Sequence, residues 1–237
     1  MTTRAMLSKV GACGATALVF GVLAGIGGLT HGIGEVLQGS VAVDGIILDS
    51  WATGPIARNM GGEPGITVLP TALAAGVATL LFSLAVLAWS ILAVRTRRGG
   101  LILILLSVGM LLAGGGVGPP LIGILAGVVA RWSPERLPRR VERSSARTRR
   151  LLARAWPPLF AIAIVNGVFL VLGSLVLVYT IDFNQPVLFE RSFYLSIVML
   201  LLMVLTAPAY DARSRDLISV PTEAVGGRAR RSTHVKG

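Results

Sequence analysis

The sequence predicts an all-α integral membrane protein with four transmembrane helices, one re-entrant helical hairpin and both termini in the cytoplasm. Three observations predict this fold. Of the 237 residues, 54% are hydrophobic and only 14% are charged, and the mean hydropathy is +0.77; water-soluble domains rarely have this composition. The uncharged residues form long continuous runs with arginines beside them. One of these runs is interrupted by a segment rich in glycine and proline.

Four uncharged runs have the length of a single membrane crossing. A helix needs about 20 apolar residues to cross a hydrocarbon core of about 30 Å. The predicted spans are residues 10–34, 67–94, 157–181 and 192–210. We place the start of the third span at Pro157 and Pro158, because proline fits the first turn of a helix. The alternative for the first run is a cleaved signal peptide, whose apolar core is usually shorter.

The distribution of basic residues orients these spans. Arginine and lysine near the ends of spans remain in the cytoplasm. Residues 1–9 and 95–98 are basic, and 131–156 contains nine arginines and two glutamates, whereas 35–66 contains four acidic residues and one arginine. We therefore predict that 35–66 is an outer loop and that the basic segments lie inside. The tail, 211–237, is predicted to be cytoplasmic and disordered.

The net charge of +11 needs no polyanionic partner, because the topology accounts for it. We predict no nucleic-acid partner. Residues 131–156 interleave arginines with apolar side chains and are interpreted as an amphipathic segment on the inner leaflet, where anionic lipids would attract it. The predicted partners are thus the lipid bilayer and its anionic lipids, together with a second copy of the chain or another membrane protein.

The run from Gly99 to Ala130 is too long for one crossing and too short for two. Both of its flanks are basic and belong inside, so the chain must turn back within the membrane. We predict a re-entrant hairpin over 101–130. Its turn consists of the residues least favourable to helix, namely Gly114, Gly115, Gly116, Gly118, Pro119 and Pro120. Such a turn either exposes backbone groups to an ion, as in transporters, or only fills space between spans.

A candidate polar or ion site lies at the end of the first span. His31, Glu35 and Gln38 are spaced i, i+4 and i+7, so they share one face of a helix that continues this far. Ionisable groups within membranes are usually functional. The alternative is that glycines at 32 and 34 end the helix and leave these side chains in solvent. No third metal ligand accompanies them, so no metal, cofactor or catalytic residue is predicted.

Two features of the spans indicate helix packing. Small residues recur every three or four positions along the first span and form a stripe through which another helix can approach closely; these are Gly21, Gly25, Gly28 and Gly32. Asn166, in the third span, is interpreted as a polar contact between helices. In the outer loop, an Asp44-Gly45 turn between apolar residues predicts a small hairpin or a cap over the bundle.

Three segments resemble a family of uncharacterised multi-pass bacterial membrane proteins, namely Gly27-Gly28-Leu29-Thr30-His31-Gly32-Ile33-Gly34-Glu35-Val36-Leu37-Gln38-Gly39, Gly61-Gly62-Glu63-Pro64 and Gly114-Gly115-Gly116-Val117-Gly118-Pro119-Pro120-Leu121. The resemblance covers about the first 130 residues and implies no activity. Lysine occurs only twice, at positions 9 and 236, against twenty arginines, which is typical of a high-GC bacterial source. The expected location is the plasma membrane of a bacterium.

Three functions remain open from the sequence. The leading hypothesis is an ion or small-solute transport protein, or an accessory subunit of one, in which His31, Glu35 and Gln38 lie near the Gly114 to Pro120 turn and form a polar site reachable from outside. The second is a non-catalytic membrane scaffold that binds partners through the glycine stripe and the basic segment. The third is a membrane-embedded enzyme that uses His31 or Glu35 as a base, and it ranks last because no nucleophile accompanies them.

Overall fold

The computed structural model describes residues 3–132, 141 and 143–218, with side chains described between residues 11 and 215 of these ranges. The regular secondary structure of this part of the chain is helical apart from two short strands. In chain order its elements are α1 (Thr3–Leu37), β1 (Ile47–Asp49), α2 (Gly54–Met60), β2 (Pro64–Ile66), α3 (Ala72–Leu92), α4 (Gly99–Ala113), α5 (Gly118–Ala130), α6 (Ala146–Val168), a π-helical segment (Phe169–Gly173), α7 (Ser174–Ile181) and α8 (Pro186–Ile218).

Four helical stretches in the described residues are long and apolar enough to cross a membrane. They are Gly11–Leu37, Ala72–Leu92, Ala146–Ile181 and Pro186–Arg215. Large apolar side chains such as Leu81 and Val165 are exposed on the outside of the bundle, where lipid rather than water would surround them. The predicted all-helical fold with four candidate spans is therefore confirmed, and the chain is a membrane protein.

The two ends of the bundle differ in structure and charge. At one end, called the loop end, lie residues 38–71 and the 182–185 connection between α7 and α8. The opposite end, called the arginine end, includes the 95–98 connection between α3 and α4 and the start of α6. Acidic residues outnumber arginines in 38–71, whereas the described connections at the arginine end are basic.

Helix α1 occupies the centre of the bundle, and α3 is its most extensive neighbour. The glycine stripe of α1 faces α3. A Cβ atom at Gly25 would lie 3.1 Å from the backbone N and Cα of Leu87, and one at Gly28 would overlap the Ser83 hydroxyl. Gly21 lies against Ser90 and Gly32 against Leu80. The two helices thus approach each other closely because the stripe has no side chains.

Helices α4 and α5 form an antiparallel pair between the two ends. They are about 22 Å and about 20 Å long at 1.5 Å per residue, and a Cβ atom at Gly127 would lie 2.7 Å from the Gly100 carbonyl oxygen. Their turn meets the loop end, where the Val68 N–H donates to the Leu112 carbonyl at 3.0 Å and the Thr67 hydroxyl donates to the Ala113 carbonyl at 2.9 Å. The three glycines of the turn, at 114–116, are buried in protein, as their non-helical backbone requires within a membrane.

The third span starts earlier than its prolines indicate. Helix α6 begins at Ala146, where the Ser145 hydroxyl accepts a hydrogen bond from the Thr148 N–H at 3.1 Å. Pro157 and Pro158 therefore lie inside the helix, and the prediction that they form its first turn is wrong. The helix passes through them because Trp156 is buried against other spans. The part of the predicted amphipathic segment at 133–140 and 142 lies outside the described residues.

An aromatic cluster fixes α6 to its neighbours near the arginine end. The Trp156 indole donates a hydrogen bond to the Thr16 hydroxyl of α1 at 3.1 Å. Its ring stacks on Phe160, with centroids 4.9 Å apart, and tilts against Tyr210 of α8 at 4.8 Å. Trp156 thus belongs to the protein core rather than to an interfacial belt.

Helix α8 continues beyond the predicted inner end of the last span to Ile218. The tail predicted to begin at 211 therefore starts as helix, and 219–237 lie outside the described residues. Asp211 explains the extension. Its carboxylate accepts hydrogen bonds from the backbone N–H groups of Ala12 and Cys13, directly after Gly11 interrupts α1 with a φ of 69°. We call this contact the Asp211 clasp; it supplies acceptors for N–H groups that a helix start leaves unpaired.

Residues 38–71 fold into a cap over the bundle. β1 pairs antiparallel with β2, with Leu48 opposite Gly65, and Ala42 forms a bridge with Thr71. The segments flanking the Asp44-Gly45 turn thus pair with 64–71 rather than with each other, so a cap forms and not a local hairpin.

The cap is also held to α7 at its carboxyl end. The Asn59 amide of α2 donates a hydrogen bond to the Asp182 carboxylate at 2.7 Å, and the Arg58 guanidinium lies 3.5 Å from the same oxygen. The Asn59 hydrogen bond, aided by the charge of Arg58, holds the pKa of Asp182 below its usual value. The Asp182 carboxylate therefore stays ionised at neutral pH, and changes of pH near neutrality leave the cap attached to α7.

Candidate functional site

The last two turns of α1 carry buried polar side chains. His31 is 6% exposed and Glu35 is fully buried. The helix continues past the glycines at 32 and 34 to Leu37, because the cap and α3 pack around this end of α1. Both side chains therefore lie inside the protein rather than in a solvated helix end.

Four side chains form a continuous polar chain, which we call the polar relay. The Ser50 hydroxyl, just after β1, lies 2.8 Å from His31 Nδ1 and donates to Glu35 Oε1 at 3.1 Å. On the other side of the ring, His31 Nε2 lies 3.5 Å from Glu63 Oε2. The side chain of Glu63 is 22% exposed, so the relay leads from partly accessible Glu63 to buried Glu35.

Glu35, the inner end of the polar relay, is incompletely satisfied. Its Oε2 atom has no hydrogen-bond partner among the described residues. The hydroxyl of Thr79 on α3 lies near it, but its oxygen also lacks a partner of good geometry within the described chain. A buried unpaired carboxylate oxygen is costly, and such groups in native proteins call for an explanation, such as a bound proton, ion or water. Glu35 can therefore hold a proton or attract a cation.

The turn between α4 and α5 lies directly against the polar relay. A Cβ atom at Gly114 would come within 2.9 Å of both Glu35 carboxylate oxygens. One at Gly116 would overlap the His31 ring, and both glycines have positive φ angles, 127° and 71°. Glycine is required at these two positions by both space and backbone conformation. The structure thus places this turn against His31 and Glu35.

The other predicted turn residues pack around this contact. Gly115 lies against Met110 of α4, a Cβ atom at Gly118 would lie 3.2 Å from the Phe193 ring on α8, and one at Gly27 would lie 2.9 Å from Pro119. Pro120 is buried in the first turn of α5. These residues position the turn, and only Gly114 and Gly116 contact the relay.

Gln38 does not join the polar relay. Its amide donates to the backbone carbonyls of Asp49 at 2.8 Å and Ser50 at 3.0 Å. The Gln38 side chain therefore holds the end of β1 in place, and this also positions the Ser50 hydroxyl. Asn166 lies elsewhere in the bundle, where its amide joins α6 to α8 by donating to the Ser192 carbonyl at 2.8 Å and the Ser196 hydroxyl at 2.7 Å.

Sequence reasoning missed Ser50 and Glu63 as members of the polar relay. Ser50 carries no motif, and its position depends on the register of β1 against β2. Glu63 follows two glycines, and its own φ is +51°, a conformation that is uncommon outside glycine. Neither residue could be paired with His31 without the fold of the cap.

A cavity of about 490 Å³ opens beside the polar relay. It lies between α1, α5, the π-helical segment and the start of α8, and both His31 and Glu63 line it. Ser50 and Glu35 do not line it. The relay therefore connects a ligand-sized space to a buried carboxyl group.

No group of three or more potential metal-ligating side chains of His, Cys, Asp or Glu occurs within the residues that the structure describes. Comparison of the chain with protein-family models, with curated proteins and with solved structures finds no match. The function must therefore be argued from the polar relay and the cavity.

Proposed function

We propose that this protein is a membrane transport protein, or a subunit of one, that moves protons through the polar relay. The observation that carries the proposal is the series of contacts from Glu63 through His31 and Ser50 to Glu35, whose Oε2 atom has no hydrogen-bond partner among the described residues. Ionisable residues inside membranes commonly mark ion and proton paths.

The chemistry of the four groups suits proton transfer. Imidazole takes up a proton at one ring nitrogen and releases one at the other, so His31 can pass a proton between Glu63 and Ser50. The Ser50 hydroxyl donates and accepts at once, and Glu35 can store the proton away from water. The relay is rigid, because Gln38 fixes Ser50 and the glycine turn confines His31 and Glu35.

A serine beside a histidine and a glutamate also resembles the arrangement of a nucleophile, a base and an orienting acid. The geometry favours a relay instead. Ser50 is fully buried, its hydroxyl donates to Glu35, and it does not line the cavity. A substrate therefore has no route to its oxygen. The scaffold alternative is weakened as well, because α3 of the same chain already covers the glycine stripe.

We further propose that the loop end faces outward and the arginine end faces the cytoplasm of a bacterial cell. The basic connections at the arginine end support this orientation. Helices α4 and α5, at about 22 Å and 20 Å, are shorter than a hydrocarbon core of about 30 Å. We interpret the pair as a re-entrant hairpin that enters from the cytoplasmic side and turns beside Glu35.

Cysteine labelling tests this topology in a Cys13→Ser background. Thr96→Cys before α4 and Arg131→Cys after α5 are both at exposed positions, and a hairpin places them on the same side. We expect a membrane-impermeant maleimide to label both only from the cytoplasm and to label Asp44→Cys in the cap only from outside. Labelling of positions 96 and 131 from opposite sides would contradict the hairpin.

Proton flux tests the function of the polar relay. In liposomes containing a pH-sensitive dye, the wild-type protein should dissipate an imposed pH gradient. Glu35→Gln and His31→Ala should slow the rate at least about tenfold, because each removes a proton-carrying group from the path. Asp44→Asn, which removes an exposed carboxylate of the cap, should leave the rate unchanged. Equal rates for wild type and Glu35→Gln would show that the relay does not carry protons.

A further inference from the structure

The cavity beside the polar relay has a mostly apolar lining with a few polar residues. Its apolar residues include Leu23 on α1, Ile122 on α5, Leu170 and Val171 on the π-helical segment, and Phe193 on α8. At about 490 Å³ it has the size of a site for a small organic molecule. The polar groups are few, which is typical of ligand pockets.

The polar lining of the cavity is acidic. The ionisable lining residues are His31, Glu63 and Glu190, and no lysine or arginine of the described part of the chain lines it. Two further polar residues, Thr30 and Ser174, donate their hydroxyls to backbone carbonyls three or four residues earlier. A ligand therefore meets two carboxylates and an imidazole within an otherwise mostly apolar lining.

We propose that this cavity binds a monovalent organic cation with a large apolar body. The two carboxylates attract the cationic group, and the apolar walls take up the remainder of the molecule. Phe189 and Phe193 also line the cavity, and aromatic rings attract organic cations through their faces. An anionic lipid would be repelled by the carboxylates, and a small hydrated inorganic cation would leave the apolar walls without contacts.

The π-helical segment gives the cavity its shape. Phe169–Gly173 interrupts the regular α-helix between α6 and α7, and two of its residues, Leu170 and Val171, face the cavity. Such interruptions are rare and occur frequently at functional sites. The widened turn changes which side chains face α1 and α5.

Binding at this site would be linked to the polar relay through one residue. Glu63 lines the cavity and also contacts His31 Nε2 at 3.5 Å. A cation at Glu63 therefore competes with a protonated His31 for the same carboxylate. The protein would therefore exchange an organic cation for a proton. This exchange rests on the proposed function, whereas the binding of the cation does not.

Tetraphenylphosphonium is the probe that tests the binding, with the protein in lipid nanodiscs and equilibrium dialysis as the measurement. We expect saturable binding of one cation per chain. Glu63→Gln should weaken it by about tenfold or more, as expected for loss of a partly desolvated charge partner, and Glu190→Gln should weaken it by less, because Glu190 is more exposed. Tetraphenylborate, which has the same shape and a negative charge, should show no saturable binding. The proposal would be overturned if the two ions showed equal saturable binding, or if neither substitution weakened the binding of tetraphenylphosphonium.

Two variants separate this proposal from the proton relay. Glu35 does not line the cavity, so Glu35→Gln should lose proton flux and keep the cation affinity. Glu190 does not belong to the relay, so Glu190→Gln should lower the cation affinity and keep the proton flux measured without the cation. Asp49→Asn, which changes an exposed carboxylate of the cap, should alter neither. Loss of cation binding in Asp49→Asn would mean that general surface charge, and not the cavity, attracts the probe.

Discussion

Replacing Gly25 with leucine is expected to prevent α1 and α3 from packing, with a loss of about 3 kcal/mol or more, the upper range for overpacked cores. A Cβ atom at Gly25 would lie 2.9 Å from the Leu87 Cβ and 3.1 Å from its backbone N and Cα. Backbone atoms in the middle of a helix cannot move aside without moving the whole helix. We expect the melting temperature of the detergent-purified protein, followed by tryptophan fluorescence, to fall by about 10 °C.

The matched control for this substitution is Ala161→Leu, which adds the same side chain at an exposed position on α6. It should change the melting temperature by no more than about 1 °C, because surface substitutions away from special features have small effects. Equal melting temperatures for Gly25→Leu and the control would show that α1 and α3 do not pack through the stripe.

The second large effect is expected from Asp211→Ala. This substitution removes the Asp211 clasp and leaves the N–H groups of Ala12 and Cys13 without acceptors at a buried helix start. Loss of a helix cap costs about 0.5–2 kcal/mol, and loss of hydrogen bonds to a charged acceptor costs about 1.5–3 kcal/mol. We therefore expect a loss of at least about 2 kcal/mol and a melting temperature lower by about 5 °C.

Asp211→Asn separates the contributions of charge and hydrogen bonding in the clasp. The amide keeps one acceptor oxygen, so its melting temperature should lie between those of wild type and Asp211→Ala. If the alanine variant melts like wild type, the start of α1 does not depend on the carboxylate. If the asparagine variant melts like wild type, the charge does not stabilise the helix start.

The spans could be predicted because lipid imposes simple requirements on sequence. An uncharged run of about 20 residues is needed for a crossing, and runs of this kind mark α1, α3, α6–α7 and α8. The break between α4 and α5 was also visible, because glycine and proline cluster there and disfavour helix. Both predictions follow from properties of single segments.

Contacts between segments were harder to predict. The pairing of β1 with β2, three residues each, places Ser50 and Glu63 on either side of His31, and strands so short carry almost no pattern that defines their register. Pro157 indicated a helix start, yet α6 continues on both sides of it and Trp156 is buried in the core. Nothing in the sequence indicated that Asp211 belongs to the bundle rather than to a tail, because its partners lie at a helix start almost two hundred residues away.

The Asp211 clasp also constrains the time course of assembly in the cell. It joins residues 199 positions apart, and at about 5–20 residues per second synthesis of that length takes about 10–40 s. Throughout this interval the N–H groups of Ala12 and Cys13 lack this acceptor and must bond to water or to another group. The start of α1 therefore reaches its final contacts only after Asp211 of α8 has been made.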